Sequence, residues 1–317
     1  MNKFIAIGTG PWKIDDIFAC VLLKAFDAPG CGTLIITDNP DTLANATWII
    51  NSRVFDVLNT KFAEELEIDP IPADSKNISQ RLWRTYGREY LTRKVQQLDP
   101  MCSERSRTET VDYAYAQIDT FIEGMLNSCE LNKFAGLSVI NSSELAKIPN
   151  LSLINSAEYW TFLYYRVQND QRKMEKFFNS IVIDRLYFFN TYINDVFRKY
   201  KEIIVVKQSA NSSKDDAPAL ILPRGGLPIS DCFDDIKEFK CMIYPNIRGG
   251  YGIQAISDFI DGKLVNRCSC DLPAVTNTDT QELIDEVRVE FVHRNKFLAV
   301  VHGELADVKV FAKKHFL

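Results

Sequence analysis

The stretch KFIAIGTGPWKIDDIFACVLLKAF, Lys3–Phe26, decides the fold. Lys3 to Gly8 is an apolar run that ends on glycine, the pattern of a strand buried on both faces. Beyond the loop, Ile17, Phe18, Val21, Leu22 and Ala25 recur at helical spacing, which predicts a helix over Asp15–Phe26. Thr33–Thr37 reads as a second buried strand, Asn39 and Pro40 open a short helix through Ala46, and Thr47–Ser52 supplies a third strand. Strand, helix and strand in alternation predict an α/β fold with a mostly parallel sheet.

Downstream, Ile78 to about Asn127 is mostly helical in period, and Lys173–Lys201 is a long aromatic-rich helical stretch. SANSSKDDAP, Ser209–Pro218, is a polar loop. Ala219–Leu222, Cys241–Tyr244, Tyr251–Ile256, Glu290–Val292 and Phe297–Val301 then alternate with turn residues like strands. The expected organisation is a larger N-terminal domain over 1–170, a connecting helical region over 171–202 and a smaller mixed α/β domain over 203–317.

A chain of 317 residues can bury a sizeable core. With 46% hydrophobic and 25% charged residues it lies near the soluble average, and no run reaches the roughly 18 to 20 apolar residues of a membrane span. The start, MNKFIAIGTGP, is too short and broken for a secretory leader and lacks the arginines of a transit peptide, so a cytoplasmic location is expected. The eight cysteines are scattered; Cys268 and Cys270 are separated by one residue instead of the two of zinc and thioredoxin motifs, which favours reduced structural thiols. A net charge of −5 excludes a surface that is basic all round but leaves room for local basic patches.

The loop after the first strand invites a ligand: Gly8, Thr9 and Gly10 leave the strand end, and Asp15 and Asp16 start the next helix, where carboxylates could hold a metal. The same carboxylates are also what any helix N-terminus favours. The glycine spacing does not make a dinucleotide fingerprint, and no GK[ST] follows for a P-loop.

Taken in order, IGTGPWKIDDIFACVLLK, TDNPDTLANATWIIN, LPRGGLP, GGYGIQAI and FVHRNKFLAVVHG resemble, over nearly the whole chain, the melanocyte-proliferating-gene family of DHH-type exonucleases. The resemblance implies a two-domain DHH-phosphoesterase-like fold whose larger domain, in active members, holds paired divalent metals and hydrolyses RNA. The family's Phe-His-x-Asp-Glu falls here on Trp12, Lys13, Ile14, Asp15 and Asp16, so a cation stands where the histidine belongs. Its strand-end aspartate falls on Asn51, its Asp-His-His near Ala63, Glu64 and Glu65, and a further aspartate near Cys129. Its Phe-Val-His falls on His293, and of a glycine-rich phosphate-contacting loop near His302 only Gly303 is kept.

Two metal ions about 3.5 to 4 Å apart need several anionic or imidazole ligands, and Lys13 would repel them. The chain has three histidines, His293, His302 and His315, so no histidine-based centre is available in the larger domain. The expectation is a pseudoenzyme with no catalytic residues, no metal and no cofactor. The alternative is a residual phosphoesterase in which Asp15, Asp16, Glu64 and Glu65 hold magnesium or manganese through oxygen alone.

RLWRTYGREYLTRK, Arg81–Lys94, offers another surface. On a helix Arg81, Arg84 and Arg88 share a face with Trp83, Tyr86 and Tyr90 interleaved, a mixture that could grip RNA phosphates, or a solvated face whose aromatic residues lie in the core. Arg93 and Lys94 extend it; Arg198, Lys199 and Lys201 form a second basic set, and Lys309, Lys313 and Lys314 a third. Degenerate, ribosome-associated members of the resembled family imply a partner, the small ribosomal subunit with its rRNA and proteins, and a role in keeping ribosomes silent. A structural interaction protein without RNA contact is the remaining alternative.

Overall fold

The computed structural model describes residues 4–8, 12, 14–28, 31–51, 56–58, 77–134, 170–275 and 283–316, with the backbone alone for 51, 56–58 and 127–134. The chain divides into two compact units, Met1–Phe197 and Arg198–Leu317.

In the first unit, β1 (Ile5–Ile7) lies between β2 (Leu34–Ile36) and β3 (Trp48–Asn51), parallel to both, and β4 (Asp56–Leu58) adds antiparallel to β3. All three residues of β1 are buried, as an apolar run at the centre of a covered parallel sheet must be. The connection from β1 to β2 is α1 (Ile14–Ala25), which is buried from Ile14 to Leu23 because it packs against α3 (Ile78–Leu98), α4 (Glu104–Phe134) and β3. A helix wrapped in this way has no wet face, which is why polar residues in it are confined to its two ends. The short α2 (Pro40–Leu43) starts where Asn39 and Pro40 predict: the Asn39 side-chain oxygen accepts from the amides of Asp41 and Thr42 at 2.9 and 3.2 Å.

The long α5 (Gln171–Ser212) begins in the first unit and ends in the second. Its first part supplies Phe178, Val182, Phe189 and Ile193 to the first unit's core, where Phe18 meets Phe189 edge-on at 5.4 Å and Phe121 at 6.2 Å. The unit boundary falls within this helix, so the stretch 171–202 belongs to both units instead of forming a separate connector. The helix also continues into the expected polar loop, as far as Ser212, before a 3-10 turn at Lys214–Asp216.

The second unit is a six-stranded mixed sheet in the order β10-β11-β12-β7-β6-β5. Its strands are β5 (Ala219–Ile221), β6 (Cys241–Pro245), β7 (Tyr251–Ala255), β10 (Leu283–Ile284), β11 (Val287–Val292) and β12 (Leu298–His302). Only β5 and β6 run parallel; the other neighbours are antiparallel. Ile243, Ile253, Val289 and Val301 form the core with Phe311 of α6 (Leu305–His315) and with Phe316. A separate hairpin, β8 (Ser257–Ile260) and β9 (Lys263–Asn266), turns on Asp261 and Gly262, both at positive φ as a two-residue type I′ turn requires. Among the described residues no helix is long and apolar enough to cross a membrane.

Candidate functional site

Trp12 stands in the sequence between β1 and α1. Its indole Nε1 donates to the Gly8 carbonyl at 2.9 Å, and its ring meets Phe178 edge-on at 4.6 Å between centroids. The ring therefore lies against α5, and its N–H ties it to the residue after β1. Trp12→Ala is expected to cost about 2 kcal/mol, from lost apolar contact at a half-buried site plus one hydrogen bond. Trp12→Phe, which keeps an aromatic ring but loses the donor, is expected to cost about 1 kcal/mol. Urea unfolding midpoints check both.

Asp15 is only 7% exposed and Asp16 5%. The two Asp15 carboxylate oxygens accept from the backbone amides of Ile78 and Ser79, each at 2.9 Å, and the Ser79 hydroxyl donates back to the Asp15 carbonyl at 3.0 Å. Ile78 and Ser79 are the first residues of α3, and the formal cap, Asn77, makes no side-chain capping bond. Asp15 thus caps a helix from a distant part of the chain, satisfying amides that have no partner within α3 and placing an anion on its positive end. Burial pushes the Cys20 thiol far up, and the Asp16 carboxylate one turn earlier adds to the effect.

Lys13, Ala63, Glu64 and Glu65 lie outside the described residues; Asn51 ends β3 and Cys129 lies in α4, both described by backbone alone. The described carboxylates do not fit a metal pair. Each Asp15 oxygen already accepts a hydrogen bond from a backbone amide, and among the described residues no group of three His, Cys, Asp or Glu side chains could hold an ion.

On α3 the aromatic residues face inward. Trp83 is fully buried and stacks on Phe26 at 6.3 Å and Tyr115 at 5.5 Å, while Tyr90 packs edge-on to Phe26 at 5.2 Å. The Tyr90 hydroxyl donates to Asn190 Oδ1 at 3.0 Å, and burial pushes its pKa up to about 12. The interleaved rings are therefore core, not a stacking platform for bases. The basic residues carry neighbours from the protein itself: Arg88 pairs with Asp112 and lies over the Tyr115 ring at 4.5 Å, Arg93 donates to the Phe26 carbonyl at 3.2 Å, and Lys94 lies over the Tyr90 ring at 5.6 Å. Arg84 stands near Asp119 of α4; burial raises the Asp119 carboxyl, Arg84 opposes the rise and Glu123 adds to it. Arg84, Arg88 and Arg93 remain exposed and Arg81 is half-buried, so this helix presents a basic rim above an aromatic core.

In the second unit Lys199 pairs with Asp231 at 2.8 Å, while Arg198 and Lys201 are exposed side chains of α5. Of the third set, Lys309 pairs with Asp216 at 2.8 Å and Lys314 with Asp285 at 2.7 Å; Lys313 is exposed. Lys314 first, and His315 second, hold the Asp285 carboxyl below its usual range. His293 serves its own hairpin turn: Nδ1 accepts from the Asn295 amide at 3.1 Å and the ring lies 4.3 Å from Phe297.

Sequence reasoning missed a pair at the other end of this sheet. His302 Nε2 lies 2.5 Å from Glu290 Oε2, and Glu290 sits where the register of β11 against β12 slips. Gly250, at φ +68°, is pressed so closely against β12 that a Cβ there would stand 2.3 Å from the Val301 carbonyl oxygen and 2.9 Å from His302 Nδ1. Histidine was a visible signal; its carboxylate partner depends on a bulge that periodicity does not reveal.

No family model, no curated protein and no solved structure matches this chain.

Proposed function

We propose that the chain is a non-catalytic, ribosome-associated dormancy factor on a degenerate DHH-like fold, similar to microsporidian dormancy factor one. It occupies space on the small ribosomal subunit that tRNA or mRNA would need. The observation that carries the non-catalytic half of this reading is Asp15: the carboxylate matched to the family's metal-binding loop has both oxygens bonded to α3 amides. The ribosome rests on the resemblance of the ordered segments from IGTGPWKIDDIFACVLLK to FVHRNKFLAVVHG.

With a net charge of −5, contact with rRNA phosphate must use local basic surface. The basic rim of α3, with Arg84, Arg88 and Arg93, is the first choice, and the Arg198–Lys201 segment the second. Because Arg88 already pairs with Asp112, an RNA phosphate would compete with that carboxylate and not meet a free cation.

Sedimentation of the full chain with ribosomes from the same cell tests the reading. Co-sedimentation at low salt is expected, with loss of roughly tenfold or more in affinity as salt rises several-fold, since each neutralised phosphate steepens the dependence. Protein left at the top of a low-salt gradient overturns the ribosome. Cleavage of single-stranded RNA that needs magnesium or manganese, in a variant series where Glu64→Ala or Glu65→Ala abolishes it in folded protein, overturns the non-catalytic reading and installs the residual phosphoesterase.

A further inference from the structure

The last helix of the second unit ends on a histidine with a carboxylate at each ring nitrogen. His315 closes α6 and is buried; its Nδ1 lies 2.8 Å from Asp271 Oδ1 and its Nε2 2.7 Å from Asp285 Oδ2. The two aspartates come from separate segments. Asp271 follows Cys270, which bridges to Phe316, and its amide donates to the His315 carbonyl at 2.9 Å. Asp285 stands with Glu286 in the two-residue turn between β10 and β11, both at positive φ.

Ionised carboxylates only accept hydrogen bonds, so a ring bonded to both must donate from both nitrogens. Only the imidazolium can do that. It stands at the C-terminal end of α6, the negative end of the helix dipole, where a cation is favoured. The groups around it are accounted for. Lys314 donates to Asp285 Oδ1 at 2.7 Å, and the Phe311 ring lies 4.7 Å away between centroids. Burial raises the Cys270 thiol beside Asp271; the Leu272 backbone and Lys296 oppose the rise and Asp271 adds to it, so this neighbour stays uncharged.

We infer that His315 is a pH-operated latch: carrying both ring protons it holds Asp271 and Asp285 together at the end of α6, and on losing one as pH rises it lets the Asp271 segment go. A neutral ring keeps one N–H and turns a lone pair toward the other carboxylate, which repels it. The proton stays on Nε2. Asp285 is only a quarter exposed and is also tied to Lys314, whereas the Asp271 side chain is half exposed, so it can turn to water at small cost. Acid does not open the latch in the same range. Lys314 first, and His315 second, hold the Asp285 carboxyl below its usual range, so it stays ionised until pH falls below about 4. The device therefore closes toward neutral and opens toward alkaline pH. Cys270, Leu272 and Val275, beside Asp271 in sequence, pack on the second unit's core, so release uncovers apolar surface at one side of that core.

Nuclear magnetic resonance of the full chain, labelled with nitrogen-15 histidine, reads the ring directly. Three rings are present, and His293→Gln and His302→Gln each remove one set of signals to assign the third. Near neutral pH both His315 nitrogens should carry protons. As pH rises Nδ1 should lose its proton, and over the same range protection of the Asp271 amide against hydrogen exchange, taken relative to an unstructured chain, should fall about tenfold or more while the amides of β12 keep theirs. In Asp271→Asn the carboxamide can donate to a bare Nδ1, so this alkaline loss of protection should disappear. A single neutral tautomer of His315 near neutral pH, or an Asp271 amide whose protection is unchanged while the ring titrates, overturns the latch; both are read on wild type and need no variant to fold. A loss of protection that persists undiminished in folded Asp271→Asn overturns it as well.

Discussion

Asp15→Ala is expected to unfold the first unit at a urea midpoint well below wild type, at a cost of roughly 3 kcal/mol. The arithmetic follows from the capping geometry. Loss of a side-chain cap costs about 0.5 to 2 kcal/mol, and each buried amide left without a partner about 1 to 3 kcal/mol, with partial relief as water enters. The two amides at risk are those of Ile78 and Ser79, and both of these residues are fully buried. Asp15→Asn keeps one carbonyl oxygen and turns the other position into a donor facing an amide donor, so about half the loss or more is expected to remain. The pair of variants separates two roles for this carboxylate. A metal ligand, sitting among repelling anions, usually costs stability in the absence of its ion, so its removal would leave the metal-free fold as stable or stabilise it. A remote cap destabilises on removal whatever metal is added. Midpoints measured with and without manganese distinguish them, and an Asp15→Ala midpoint equal to wild type in metal-free buffer would sink the capping role.

This bond spans 63 positions of sequence, and nothing in the local pattern announces it. Helical period placed α1, and the Asp-Asp start was legible as either a metal loop or a helix N-terminus; the structure adds a third use, in which Asp15 caps a different helix. The face of α3 was undecidable for a related reason. Arginine and aromatic residues alternate closely enough that either face could be the wet one, and only packing against Phe26, Tyr115 and Phe189 turned Trp83 inward. The β8–β9 hairpin is a different case. Asp261-Gly262 is a strong two-residue turn signal, but the flanking Phe259, Ile260, Leu264 and Val265 are all exposed, so the apolar alternation that normally marks a strand beside such a turn is missing. The hairpin's registration depends instead on contacts at its base.

That base supplies the second large effect, at Arg267. Its guanidinium donates through Nε and one terminal nitrogen to Asp258 at 2.6 to 3.0 Å, and through the other to the carbonyls of Ile236 and Phe239 at 2.7 and 2.9 Å. One planar fork therefore joins β8 to the segment that precedes β6, while its face lies 5.8 Å from the Phe233 ring. Charged hydrogen bonds of this kind are worth about 1.5 to 3 kcal/mol each before losses, and they are not additive. Arg267→Ala is expected to cost roughly 3 to 4 kcal/mol, because two carbonyls lose their donor and Asp258 loses its counter-charge. Arg267→Lys should recover less than half, since an ammonium cannot reach both carbonyls and the carboxylate from one point.

The pH dependence has a fixed sign. Arg267, through its hydrogen bonds, holds the Asp258 carboxyl below its ordinary value, so the folded state binds this proton less readily than the unfolded chain. The stabilisation is complete above the unfolded carboxyl's pKa, near 3.9, and is lost as pH falls through the lower folded value. Asp258 is part-exposed, and solvent screens the effect, so the pH-linked share is smaller than the loss on truncation. Wild type should therefore lose stability below about pH 4 more steeply than Arg267→Ala, the two curves converging in acid. Parallel curves across that range would mean that the guanidinium acts through its bonds to Ile236 and Phe239 alone, and that the ion pair with Asp258 contributes nothing.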